Sequence, residues 1–162
     1  MKHITMKICA CAFAFVLAVG ALVGCAPNAG AVNSEQQANR AYMSQVNGIM
    51  DELGTDLDSF VDAVSRGDVV NMRTQADNAY KKLDELNSLE VPEGLSDIQQ
   101  NYIDGTSKLR EALDDYIDLY TEISAGSFDQ SKYADRIAEI QSTYDEGVAA
   151  LKQGDETAAS KQ

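Results

Sequence analysis

One side chain in this sequence has a neighbourhood that names a chemistry, the thiol of Cys25, which closes the run Leu22-Val23-Gly24-Cys25. The other two cysteines, Cys9 and Cys11, lie inside an unbroken apolar stretch, so their C-x-C spacing carries neither a redox nor a metal reading. The hydroxyls of Tyr42, Tyr102, Tyr116, Tyr120, Tyr133 and Tyr144 form a second group, spaced so that they fall on or beside apolar helical stripes. They could line a cavity between helices and face a ligand. We read them as core residues whose hydroxyls reach water or a carbonyl at the edge of the fold. Carboxylates form a third group. Glu111, Asp114, Asp115, Asp118 and Glu122 share one face by three-and-four spacing, and Asp51, Asp58 and Asp62 do something similar earlier. Two such faces meeting could bind Ca²⁺ or Mg²⁺. A helix offers no curved loop of oxygens, however, and no Asp-x-Asp-x-Asn-Gly pattern is present, so these rows are read as solvated faces and no metal is expected.

A cationic, apolar leader precedes Cys25. Lys2 and Lys7 are followed by sixteen residues, 8–23, without a polar side chain. That length suits a signal peptide and is short for a membrane span, which needs roughly 20 apolar residues. No basic stop-transfer cluster comes after it. Together, the leader and Leu22-Val23-Gly24-Cys25 resemble the signal peptide and lipobox of bacterial lipoproteins. The resemblance implies transfer of diacylglycerol to the Cys25 thiol and cleavage before Cys25 by the lipoprotein signal peptidase, which would recognise Leu22, Val23 and Gly24. A small residue such as Gly24 lets the peptidase approach the backbone. Residues 1–24 would be lost, and the lipid on Cys25 would hold the chain on the outer face of the cell membrane. Ala26 is not aspartate, so in a two-membrane cell the inner-membrane retention signal is missing and the outer membrane is open to it. Two acyl chains anchor stably where one binds marginally, so no further membrane element is needed.

Cleavage there would leave 138 of 162 residues, enough for one domain. The leader holds two of the 13 basic side chains and none of the 26 acidic ones, so the remainder carries 11 against 26, net −15. Such a surface repels nucleic acid and anionic headgroups and attracts basic proteins, cationic peptides, polyamines or divalent cations. Solubility alone is a sufficient reason for it. The only histidine, His3, lies in the leader, and there is no tryptophan. A chain cleaved before Cys25 therefore has no means of serine–histidine or cysteine–histidine catalysis, and no ordinary zinc site, histidine-ligated haem or Glu-x-x-His site of a di-iron bundle. With Cys25 the sole remaining cysteine, no internal disulfide can form. No cofactor is expected and no catalytic residue is assigned.

Four segments with helical periodicity must position these groups. Residues 25–33 read as a lipidated start and flexible tether, spanning about 15 Å on average. The first segment runs from about Glu35 to Arg66, with Ser34 and Gln37 fitting a capping box and Gly67 a stop. The second runs from Val69, capped by Asp68, to about Leu89, and Val91-Pro92 ends it. The third starts near Glu93 or Asp97, where Ser96 and Gln99 form a second possible capping box, and ends near Ser124 before Gly126. The fourth covers about Asp129 to Gln153, and residues 154–162 read as a frayed, disordered polar tail. Gly48, Gly54, Gly105 and Gly147 interrupt these helices, each at a cost of roughly 1 kcal/mol relative to alanine, and nothing in the sequence assigns them a role. Short loops between four amphipathic helices imply an all-α, up-down-up-down four-helix bundle over residues 34–153. The long helix, glycine stop and proline-led third helix also resemble small uncharacterised helical-bundle lipoproteins of Gram-positive bacteria, a likeness that brings no activity. The expectation is a lipid-anchored, extracytoplasmic, non-enzymatic module for protein or peptide contact. The alternative is a small-ligand or cation binding module accessory to a transporter or sensor.

Overall fold

The computed structural model describes residues 34–160, and these are helical almost throughout, with no strand among them. The leader 1–24, the residues Leu22, Val23, Gly24 and Cys25, and the tether 25–33 lie outside the described residues. Four α-helices succeed one another: α1 Ser34–Arg66, α2 Val69–Ser88, α3 Gln99–Ala125 and α4 Tyr133–Ala159. Short 3₁₀ turns at Glu93–Ile98 and Gln130–Lys132 lead into α3 and α4.

The helix ends obey their local chemistry. α1 stops where Gly67 turns left-handed at φ 64°, and the amides of Gly67 and Asp68 return to the carbonyls of Val64 and Ala63. Two terminal carbonyls are satisfied in this way by a conformation that glycine adopts without strain. Asp68 then accepts from the Asn71 amide at 3.1 Å and caps α2. Gly126, at φ 71°, ends α3 by the same device.

The start of α3 differs from the capping box that Ser96 and Gln99 imply. No side chain caps α3, and Ser96 lies within a 3₁₀ turn that runs directly into the helix. Burial is the reason, since Leu95 and Ile98 are fully enclosed and draw the turn inward. Gly94 sits against α1 so closely that a Cβ there would come within 2.7 Å of Glu35 Oε1.

The end of α4 also departs from expectation. Residues 154–162 do not begin as a frayed tail, because the helix continues to Ala159. Gly147, Leu151, Gly154 and Ala158 recur at steps of four, three and four, and all are buried. A glycine at a packed seam extends a helix that the same glycine would end at the surface.

The core is one cluster drawn from all four helices. Leu53, Leu57 and Phe60 of α1, Met72 and Leu83 of α2, Leu109 and Leu113 of α3, and Ile140 and Leu151 of α4 are essentially inaccessible. Burying each such side chain contributes roughly 1.5–3 kcal/mol. The closest backbone approaches join α1 to α2 and α3 to α4, and after them α2 to α3. No comparable run of close approaches joins α1 to α4.

Candidate functional site

The tyrosines do not gather into one site. They are distributed along the bundle in three tiers, each with its own chemistry. In the first, near the start of α1, the Tyr102 hydroxyl donates to Asp155 Oδ1 at 2.6 Å. Burial, then this bond and the carboxylate charge, push the Tyr102 hydroxyl far above its ordinary pKa. Tyr42 is raised by burial and by the same carboxylate. Asp155 is raised too, because desolvation outweighs the hydrogen bond it accepts. Neither member of the pair is activated: the phenol holds its proton and the carboxylate resists ionising, so the arrangement fixes the α3–α4 register rather than generating a nucleophile. On α1, one turn before Tyr42, the buried Asn39 leaves its Oδ1 without a hydrogen-bond partner among the described residues.

The second tier holds Tyr116 and Tyr144. Phe60 meets Tyr116 edge-on, with ring centroids 6.1 Å apart at 68°, a favoured aromatic geometry. The Tyr144 hydroxyl is raised by burial and then by the nearby carboxylates of Asp58 and Asp145. In the third tier Tyr120 is raised by burial and by its hydrogen bond with Tyr133, and Phe128 meets Tyr133 edge-on at 6.5 Å.

Two of the five carboxylates in the acidic row on α3 tie helices together. Asp114 accepts from the Tyr80 hydroxyl on α2. Asp115 pairs with Arg136 of α4 at 2.7 Å. Glu111 meets Lys108, which also approaches Glu146 of α4 at 3.6 Å. Tyr80, which the sequence did not mark, is a junction: Arg110 lies 4.4 Å above its ring while reaching Asp84 at 2.6 Å. Asp118 and Glu122 are exposed. On α1, Asp62 pairs with Arg66, and Asp51 and Asp58 are exposed. Among the described residues no three His, Cys, Asp or Glu side chains converge as metal ligands would.

The glycines acquire distinct roles. A Cβ on Gly147 would lie 3.0 Å from the Leu109 amide nitrogen and 3.1 Å from the Gly105 carbonyl oxygen. Reciprocally, a Cβ on Gly105 would come within 2.7 Å of Leu151. Gly154 accommodates the Tyr102 ring at 3.0 Å from the same imagined atom. These three residues let α3 and α4 approach along a small-residue seam. Gly48 has nothing within 4 Å, and Gly54 is half-buried on α1.

A narrow crevice lies between α1, α3 and α4. Leu57, Phe60, Val61 and Val64 of α1 form one wall, Tyr144 of α4 the other, and Leu113 and Tyr116 of α3 are reached between them. Its volume is about 10 Å³, room for about one water molecule and far below the roughly 300–1,000 Å³ of ligand pockets. Its lining is nearly all apolar.

Sequence reasoning missed Asn39, Tyr80, Val61 and Asp155. Only Asp155 had a legible signal, the continued three-and-four spacing through Gly154 and Ala158. Comparison of the chain with protein-family models, with curated proteins and with solved structures finds no match.

Proposed function

We propose that this chain is a lipid-anchored, extracytoplasmic helical bundle that acts without catalysis, as a protein- or peptide-contact module of the cell envelope. The carrying observation is the filled interior. The tyrosines are built into the packing, and the crevice between α1 and α4 is too small to enclose an organic ligand. A core filled in this way leaves the outer faces of the bundle for contact, which suits another polypeptide better than a small molecule. The address rests on the resemblance of Leu22-Val23-Gly24-Cys25 to a lipobox, with membrane attachment through lipid on Cys25.

The bundle is read as up-down-up-down. Support comes from pairings that run in opposite directions. From α2 to α3, Arg73 meets Thr121, Tyr80 meets Asp114, Asp84 meets Arg110 and Asn87 meets Thr106. From α3 to α4, Tyr102 meets Asp155, Asp115 meets Arg136 and Tyr120 meets Tyr133.

A second reading, a small-ligand or cation module accessory to a transporter or sensor, draws on the unpaired Asn39 Oδ1 near the start of α1. A rise in melting temperature with Ca²⁺ or a polyamine, lost in Asn39→Ala, would favour it over peptide contact.

Attachment is tested by metabolic labelling with a palmitate analogue in the native host. The wild-type chain should incorporate label and sediment with membranes. Cys25→Ala should do neither, and labelling that survives the substitution would overturn the anchoring assignment.

A further inference from the structure

The turn between α1 and α2 carries an arginine and an aspartate on either side of one glycine, Arg66-Gly67-Asp68. Gly67 is left-handed at φ 64°, and nothing lies within 4 Å of the place a Cβ would take. The outer side of the turn is therefore open. It ends a helix of 33 residues, so it stands about 48 Å along α1 from Ser34 at 1.5 Å per residue. For a chain held through Cys25, that is the end far from the membrane. Val70, two residues further on, is 76 % exposed, the most exposed large apolar side chain among the described residues.

Both charged groups are within reach of a partner. The Arg66 side chain is 52 % exposed and pairs with Asp62, one turn earlier on the same helix and itself exposed. An exposed pair of this kind contributes little and yields to a better acceptor. Asp68 is held in place instead. Its Oδ1 accepts from the Asn71 amide at 3.1 Å and its Oδ2 from Asn71 Nδ2 at 2.6 Å. A carboxylate offers about four acceptor sites, so each oxygen keeps one. An arginine fork from a partner would need both oxygens at once, and each already accepts a bond. A metal ion needs only one. The acidic surface of the chain, net −13, also favours a partner that arrives with a divalent cation.

Arg-Gly-Asp is the tripeptide that metal-bearing adhesion receptors of animal cells read, with a bound divalent cation for the carboxylate and an acidic pocket for the guanidinium. We propose that Arg66-Gly67-Asp68 is a docking turn for a receptor of that chemistry on an opposing cell. The cation of the receptor takes Asp68, which stays at the cap of α2, and the acidic pocket takes Arg66 from Asp62. This rests on the contact-module reading above and gives it a place and a partner.

The test uses the full chain in phosphatidylcholine nanodiscs, with empty nanodiscs as the background and a purified Arg-Gly-Asp-binding integrin ectodomain as the probe. Binding should saturate in millimolar Mg²⁺ and disappear in EDTA. Asp68→Asn keeps a residue that caps helices as well as aspartate does, so the helical circular dichroism spectrum should not change. It removes the charge, and binding should weaken about tenfold or more. Arg66→Lys keeps the charge and loses the planar fork, and should weaken binding about tenfold as well. Asp129→Asn makes the same change at the cap of the α3–α4 turn and should leave binding as it is. No binding in Mg²⁺, binding that survives EDTA, or equal losses in Asp68→Asn and Asp129→Asn would overturn the proposal. A photo-crosslinking residue at position 70, or at position 38 near the start of α1, separates this inference from the reading beneath it. With no integrin bound, a partner captured from either position in the native host would overturn the docking turn and leave the contact module standing. With no integrin bound and no partner from either position, both would be overturned.

Discussion

Asp155 is a carboxylate that folding moves against its own charge. It lies where a sequence reader expects solvent, yet burial raises its pKa above the ordinary carboxylate value despite the Tyr102 hydroxyl that it accepts from. Raised in the folded state, it binds more protons folded than unfolded between those two values. Its contribution to stability is therefore fully present below the ordinary carboxylate range and is lost as pH rises through its folded value. Asp155→Asn, which keeps an acceptor for Tyr102 without the charge, should raise the melting temperature at pH 7. That advantage should vanish as pH falls through the carboxylate range, and a variant less stable at pH 7 than at pH 4, relative to wild type, would contradict this account. The capping carboxylates have the opposite sign. Hydrogen bonds from Asn71 hold Asp68 below its ordinary value, and bonds from Ser131 do the same for Asp129, so their contributions disappear on acidification. The sequence disclosed the Asp68 cap because the cap and its helix are neighbours in the chain. It concealed Asp155 because the partner tyrosine is 53 residues away.

Glycines mark the next scale, where one residue type does opposite things on different helices. Gly147 faces the backbone of α3 at a distance tighter than most side-chain contacts, and backbone gives way less easily than a flexible side chain does. Gly147→Ala should therefore destabilise the protein by about 1–3 kcal/mol through overpacking. Gly48→Ala meets nothing and should stabilise it by about 0.5–1 kcal/mol through helix propensity. Urea titrations of both variants check the pair, and equal shifts of the same sign would remove the α3–α4 seam from the account. Helix periodicity was readable because apolar residues repeat along a single segment. Thus Leu53, Leu57 and Phe60 of α1 fall where the stripe puts them, and all are enclosed. The role of Gly147 was not readable, since it depends on Gly105 and Leu109 of another helix. Gly154 misled for the same reason: it reads as a stop until Tyr102 is seen lying against it.

Across the whole molecule, charge and packing pull in different directions. The chain carries 26 acidic and 13 basic side chains, and cross-helix pairs such as Arg110–Asp84 and Arg136–Asp115 use only part of that excess. Exposed pairs contribute little, about 0–1 kcal/mol each, whereas repulsion among the surplus carboxylates acts over the whole surface. Sodium chloride between about 10 and 200 mM should shorten the screening length from roughly 30 Å to under 10 Å and raise the melting temperature. A fall instead, monitored by circular dichroism, would show that the cross-helix pairs outweigh the repulsion. The three tiers of tyrosine have a bearing of another kind. The chain contains seven tyrosines and no tryptophan, so its near-ultraviolet absorption and emission are dominated by phenol rings. Six of those rings stand at three separate levels of one core, against Asp155, against Phe60 and against Phe128, and the seventh, Tyr80, lies between α2 and α3. Fluorotyrosine incorporated throughout would give each level its own resonance. Unfolding, docking and acidification could then be tracked at the two ends and the middle of the bundle in a single spectrum, with no foreign reporter attached.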